Sequence, residues 1–257
     1  MHKKVIVFAL TGMSLMSCET LQQITTQVAS AGLGTVNTQA NTYSNAAGLK
    51  EALTLGLTKS VAKLSQENGY FSDVAIKIAI PEEASAIIDN IKLIPGGEDL
   101  VNDVVLRLNR AAEDAAAEAT PIFVSAIKNM SFSDATSILF GNETAATTYL
   151  KNSTYSQLFA AFKPKVAVSL DKDLVGNIST NESWSSLTTV YNKVASSSVG
   201  KVYGLKSVNT DLSAYVTDQA LNGLFLKVGN EEKAIRKDPS ARVTTLLQKV
   251  FGQLDNK

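Results

Sequence analysis

From Gly48 onward the chain places apolar residues at helical spacing. Leu49, Leu53, Leu57, Val61 and Leu64 share one face and predict a helix over 46–66, ended by Asn68-Gly69. The longest run follows at Val101, Val104, Leu108, Ala112, Ala115 and Ala119. Thr120-Pro121 interrupts it, and Ile122, Val124, Ile127 and Met130 continue it, which predicts two helices or one kinked helix. Its alanine-rich middle implies close contact with another helix. Ser131 and Asp134 form a capping-box-like start to a short helix ending at Gly141, and Asn142 can cap the next helix. Leu158, Phe159, Phe162, Val166 and Leu170 predict a helix from Thr154 to about Lys172, kinked near Pro164. Trp184, Leu187 and Tyr191 place core side chains on a helix over 182–195. Asp211 caps a long helix through Tyr215, Ala220, Leu224 and Val228. Asp238-Pro239 opens a final one with Val243, Leu246, Leu247, Val250 and Phe251. The pattern predicts an all-α fold of about nine helices, an irregular multi-helix bundle in a single domain over 46–253.

One stretch breaks the helical rhythm. Val74 to Ile80 alternates strictly between apolar and other residues, the signature of a strand. A strand needs a partner for its backbone groups. The only comparable stretch is Val199–Leu205, so a small two-stranded ribbon is the most sheet expected. Pro81, followed by Glu82 and Glu83, has the chemistry of a helix start, and Pro95-Gly96-Gly97 that of its end.

The N-terminus has a different character. Lys3 and Lys4 precede an apolar run from Val5 to Met16, too short to span a bilayer and suited to a signal peptide over 1–17. Leu15-Met16-Ser17-Cys18 then places leucine three residues before the only cysteine and a small residue directly before it. This is the arrangement of a lipoprotein signal. The Cys18 thiol can take a diacylglyceryl thioether, and cleavage before it frees its amine for a further acyl chain such as palmitate. Two or more chains anchor a protein stably where one does not. Glu19 is not the aspartate that retains lipoproteins in the inner membrane, so the outer membrane, facing the periplasm, is the expected address. Residues 20–49 carry no charge and are rich in Thr, Gln, Ser, Asn and Ala. Together with Cys18 they read as a flexible tether over 18–45, although Leu21, Ile24 and Val28 have helical spacing.

Composition narrows the chemistry. The chain has 257 residues with 24 Lys+Arg against 24 Asp+Glu, and a single histidine, His2. A near-neutral balance gives no electrostatic case for nucleic acid. Loss of residues 1–17 removes His2, so the mature chain has no imidazole for Ser-His-Asp or Cys-His catalysis and no His/Cys set for zinc. Nor can a lone cysteine form an internal disulfide. No cofactor is called for.

Several blocks carry a resemblance. Gly48-Leu49-Lys50-Glu51-Ala52-Leu53, Asn109-Arg110-Ala111-Ala112-Glu113, Pro121-Ile122-Phe123-Val124 and the tail from Glu232 to Arg242 occur in order. Over about residues 46–252 the chain resembles the bacterial domain-of-unknown-function family 4197. The resemblance implies a helical, envelope-associated protein and brings no activity with it. The segment 173–183 is longer here than in the family pattern.

Three groups of residues invite a chemical reading. Asp171 to Glu182 nearly spells a calcium loop, with Asp171, Asp173, Gly176 and Glu182 in place. Val175 stands where a fifth-position oxygen is needed, and the plainer reading is a helix–helix loop in which Gly176 ends one helix and a polar residue caps the next. Ser-x-x-Lys occurs at Ser60/Lys63, Ser125/Lys128 and Ser169/Lys172, without the companion motifs of acyl-enzymes. Gly32-Leu33-Gly34 follows no strand and is not a nucleotide loop. Asn109, Arg110 and Glu113, with Arg107 and Glu118 on the same helix and Arg236 and Arg242 near the last, form a polar set. Such a set either holds an anionic group or fixes the fold through ion pairs.

These features favour a membrane-anchored, non-enzymatic binding or envelope-organising module acting on a protein partner. A carrier of an apolar or amphipathic ligand in an interhelical groove is the alternative, and a histidine-independent enzyme a third.

Overall fold

Helix α1 spans 44–64 and turns its predicted face inward, with Leu49, Leu53, Leu57 and Leu64 fully buried. The structure is a computed structural model that describes residues 42, 44–85, 88–89, 97–131, 133, 135–208 and 211–255. The signal-like segment, Cys18, the Gly32-Leu33-Gly34 run and the expected tether as far as residue 41 lie outside the described residues. So do Asp134, Pro95-Gly96 and most of the helix expected after Pro81. What is described there is a 3-10 turn, Glu82–Ala84, behind a buried Pro81, with Ser85, Ile88 and Asp89 helical after it. Asn68 ends the first helical segment in the left-handed region (φ 68°). Gly69 follows because any Cβ there would come within 2.5 Å of the Leu64 carbonyl oxygen.

The remaining helices are α2 (Gly97–Ala116), α3 (Ala119–Asn129), α4 (Ala135–Leu139), α5 (Ala145–Leu170), α6 (Thr180–Ser196), α7 (Ser198–Val202), α8 (Ser213–Lys237) and α9 (Thr245–Phe251). The all-α expectation holds: among the described residues there is no strand, only an isolated bridge between Val175 and Ile178. Two helices, not one kinked one, account for the alanine-rich run. Pro121 falls in the first turn of α3, where its missing N–H is not needed. The buried alanines Ala111, Ala112, Ala115 and Ala116 leave α2 thin enough to pack on α5, α6 and α8. Helix α5 in turn packs along α8 and touches α2, α3 and α4. Trp184 is fully buried in the core. No helix among the described residues is long and apolar enough to cross a membrane.

Four expectations are corrected. The two-stranded ribbon does not form: 198–202 is helical, and 77–80 is extended with no strand beside it. Helix α5 starts well before Thr154. Asp238-Pro239 opens only a 3-10 turn, Pro239–Ala241, and α9 starts later, with Thr244 Oγ1 accepting the Leu247 N–H at 3.2 Å. Gly176 does not end α5, which stops at Leu170, but makes a left-handed turn (φ 64°) inside the following loop.

Candidate functional site

Asn109, Arg110 and Glu113 lie together on α2, and each serves the irregular segment 67–80. Asn109 Oδ1 accepts the Ile78 N–H at 2.9 Å, and its Nδ2 donates to the Ile78 carbonyl at 2.8 Å. A single carboxamide thus takes the place of a neighbouring strand. This explains how Ile76, Ile78 and Ile80 can alternate inward with no ladder. Glu113 Oε1 accepts the N–H groups of Tyr70 and Phe71 at 3.0 and 3.1 Å. Its other oxygen takes Arg110 Nη1 at 2.6 Å, while Arg110 Nη2 reaches Asn68 Oδ1 at 3.0 Å. The Tyr70 hydroxyl is fully buried and donates to the Ala220 carbonyl at 2.9 Å. Burial, reinforced by the Glu113 charge, pushes its pKa well above the usual tyrosine range.

Arg236 and Arg242 form a second group near the end of α8. Glu232, one turn before Arg236, accepts the N–H groups of Ala146 (3.0 Å) and Thr147 (2.7 Å) and the Thr147 hydroxyl (2.6 Å). Arg236 pairs with Glu232 and donates to the carbonyls of Leu139 and Ile138. Arg242 donates to the Ile235 and Arg236 carbonyls at 2.9 and 3.0 Å and grips both oxygens of Asp255. That guanidinium holds Asp255 below the usual carboxylate range.

Arg107 stands apart from both groups. Its Nη1 donates to the carbonyls of Val175 and Ile178, and its Nε pairs with Asp103 at 2.6 Å. The loop it holds is the calcium-like one. There Glu182 Oε2 accepts the Ser179 N–H at 2.8 Å, and Ser179 Oγ accepts the Glu182 N–H at 3.1 Å, a reciprocal capping box at the start of α6. Asp171 takes the Asn181 amide at 2.7 Å, and Asp173 lies in the same shallow depression. Among the described residues no three Asp, Glu, His or Cys side chains converge as metal ligands would. Of the Ser-x-x-Lys pairs, Ser169 and Lys172 both bind one oxygen of Asp114, at 2.6 Å each, which ties α5 to α2. Glu118 pairs with Lys165 at 3.1 Å on the surface.

The surface offers two open interhelical grooves. One, of about 480 Å³, runs between α5 and α8 beside residues 75–77, lined by Lys77, Thr148, Lys151, Gln219, Asn222 and Asn230 among others. Across it, Lys151 Nζ donates to Asn222 Oδ1 at 2.8 Å, and Asn222 Nδ2 donates to Asp218 at 3.0 Å. The Tyr155 hydroxyl donates to the other Asp218 oxygen. Burial and that bond push the Tyr155 pKa up, so the phenol is a donor here and not a base. The other groove, of about 640 Å³ between α3 and α5, has a more apolar wall of Ile122, Ala126, Met130 and Leu158.

The family model described as a protein of unknown function, DUF4197, matches residues 39–252. The chain belongs to the DUF4197 family. No curated protein and no solved structure matches it. In this DUF4197 protein the blocks that carry the resemblance are residues that hold the fold. Gly48 lets α1 meet α9, since a Cβ there would lie 2.7 Å from Val250 Cγ2. Asn109, Glu113, Glu232, Arg236 and Arg242 all engage backbone groups of the chain itself. Sequence reasoning missed the part played by Glu232. Its signal was an acid one turn before an arginine, on the face of α8 that carries Val228 and Ile235 inward.

Proposed function

We propose that this DUF4197 protein is a lipoprotein of the bacterial cell envelope, anchored through acylated Cys18, whose helical domain is a non-enzymatic binding module. The observation that carries the second half concerns the buried charges. Arg107, Glu113, Glu232, Arg236 and Arg242 are the buried charged residues among those described, and each is engaged with backbone N–H or carbonyl groups of another segment. Groups held in that way have their hydrogen-bonding capacity taken up by the fold itself. The α5–α8 groove, lined with amides, hydroxyls and two lysines, is the binding face we favour, for a polar partner. The first half rests on Leu15-Met16-Ser17-Cys18 and the basic, apolar stretch before it.

The test has two arms. Cells expressing the full chain are fed an alkyne analogue of palmitate, and the protein should label, fractionate with the outer membrane and lose both properties in Cys18→Ala. Labelling that survives Cys18→Ala, or never appears, removes the anchor. A photo-crosslinking residue at Thr148 or Asn230 should trap one defined partner in cells, while the same residue at exposed Lys63 should not. Equal trapping at all three positions removes the groove as the binding face.

A further inference from the structure

Among the described residues, three large exposed apolar side chains lie within five positions of one another at one corner. Val199 is 63% exposed, Val202 84% and Tyr203 78%. The corner is built, not frayed. Ser197 Oγ accepts the Gly200 N–H at 3.1 Å and caps the short helix α7. At its other end the Gly204 N–H donates to the Lys201 carbonyl and the Leu205 N–H to the Gly200 carbonyl, with Gly204 left-handed at φ 68°. These two bonds make a Schellman motif, which satisfies the last carbonyls of the helix. At the base Asn192 accepts the Val208 N–H at 2.8 Å and donates to the Val208 carbonyl at 3.0 Å, the same carboxamide clasp that Asn109 makes on Ile78. The backbone is thus closed at both ends, and the apolar side chains point away from the core.

The sequence through this corner carries charge of one sign. Between Glu182 and Asp211 the sequence holds Lys193, Lys201 and Lys206 and no acid. All three lysines are exposed. Lys193 shares a surface depression with Ser197, at the foot of α7. A stable protein interface needs roughly 800 Å² per partner. An anionic bilayer surface needs less. Aliphatic side chains and a tyrosine sit at headgroup depth, and lysines reach lipid phosphates while their stems stay in the apolar layer.

We propose that the corner 198–206 docks on an anionic lipid surface. Val199, Val202 and Tyr203 enter the headgroup region, and Lys193, Lys201 and Lys206 face the phosphates. This builds on the anchored reading, because a chain already tethered at Cys18 needs only a weak second contact to settle in one orientation.

The full chain carrying Tyr203→Trp tests it against vesicles of phosphatidylglycerol and phosphatidylethanolamine. The natural Trp184 is fully buried and supplies a constant background. On anionic vesicles, acrylamide quenching of the new indole should fall by at least about threefold and its emission should shift to the blue. Phosphatidylcholine vesicles, or Lys201→Glu with Lys206→Glu, should abolish both changes with no loss of helical circular dichroism. If position 203 stays open to acrylamide on anionic vesicles, the docking proposal falls and the corner is left for a protein partner. The two readings fail separately. Loss of the anchor shows as missing palmitate label with protection at 203 retained, and loss of docking shows as label retained with 203 unprotected.

Discussion

The carboxylate of Glu232 and the guanidinium of Arg236, paired through Nε and Oε1 at 2.8 Å, hold the facing ends of two other helices. Glu232 takes the first free N–H groups of α5, and Arg236 takes the last carbonyls of α4. Each charge meets the helix end whose dipole favours it. The short connection between Leu139 and Ala145 is thereby fastened to α8 at both ends.

Removing one member of this pair leaves the other buried and alone. Glu232→Ala should cost about 3–5 kcal/mol in urea unfolding. Replacing Glu232 and Arg236 together with neutral residues should cost less than the sum of the two single changes, because the orphaned charge is gone. Additive losses would show that the pair acts as two independent caps.

Asn109→Leu keeps the branched outline but strips the Ile78 backbone of both partners. Each bare buried group costs about 1–3 kcal/mol. The expected outcome is a loss in that range or above it, with accelerated hydrogen exchange at the Ile78 amide. Unchanged exchange there would mean that the isoleucines alone hold the segment.

Glycine inside a helix ordinarily weakens it by about 0.5–1 kcal/mol relative to alanine. At Gly48 the sign should reverse, since the added methyl meets Val250 at 2.7 Å. Gly48→Ala should destabilise by about 1–3 kcal/mol. Combining it with Val250→Ala should recover part of that loss, and thermal melts of the single and double variants decide the point.

Asp73 is held below the usual carboxylate value of 3.8, first by its bond to Lys227 and further by the Ala75 N–H, against the opposing effect of burial. A depressed folded pKa contributes stability that is full above the unfolded value and disappears as pH falls through the folded one. Asp73→Asn should therefore lower the urea midpoint more at about pH 6 than at about pH 3. An effect equal at both values would point to lost packing instead of lost charge.

The sequence was most legible where burial follows helical period. Leu49, Leu53, Leu57 and Leu64 predicted α1 and its buried face, and Trp184 predicted the inward side of α6. The alternation at 74–80 also named the inward residues Ile76, Ile78 and Ile80, but Val74, in the same phase, is 93% exposed, and the element it suggested was wrong. Period reports which side chains face inward. It does not report what satisfies the backbone, and here that partner is a side chain 31 residues away in the chain. The start of α5 was legible in part: Asn142, read as a helix cap, accepts the Thr144 N–H at 3.0 Å, while the next helical N–H groups are taken by Glu232 from 85 and 86 residues away, which no local window shows.

The amino-acid sequence by itself determined the all-helical class, most of the core, the family and the residue types left for chemistry, because these follow from local period and composition. It also supplies the Cys18 motif on which the anchoring proposal rests. Only the tertiary structure decided what Asn109, Arg110, Glu113, Arg236 and Arg242 touch. A polar side chain in a helix offers the same donors and acceptors whether its partner is a ligand or the chain's own backbone. Which of the two it meets depends on contacts between residues far apart in sequence, and these exist only once the helices have packed.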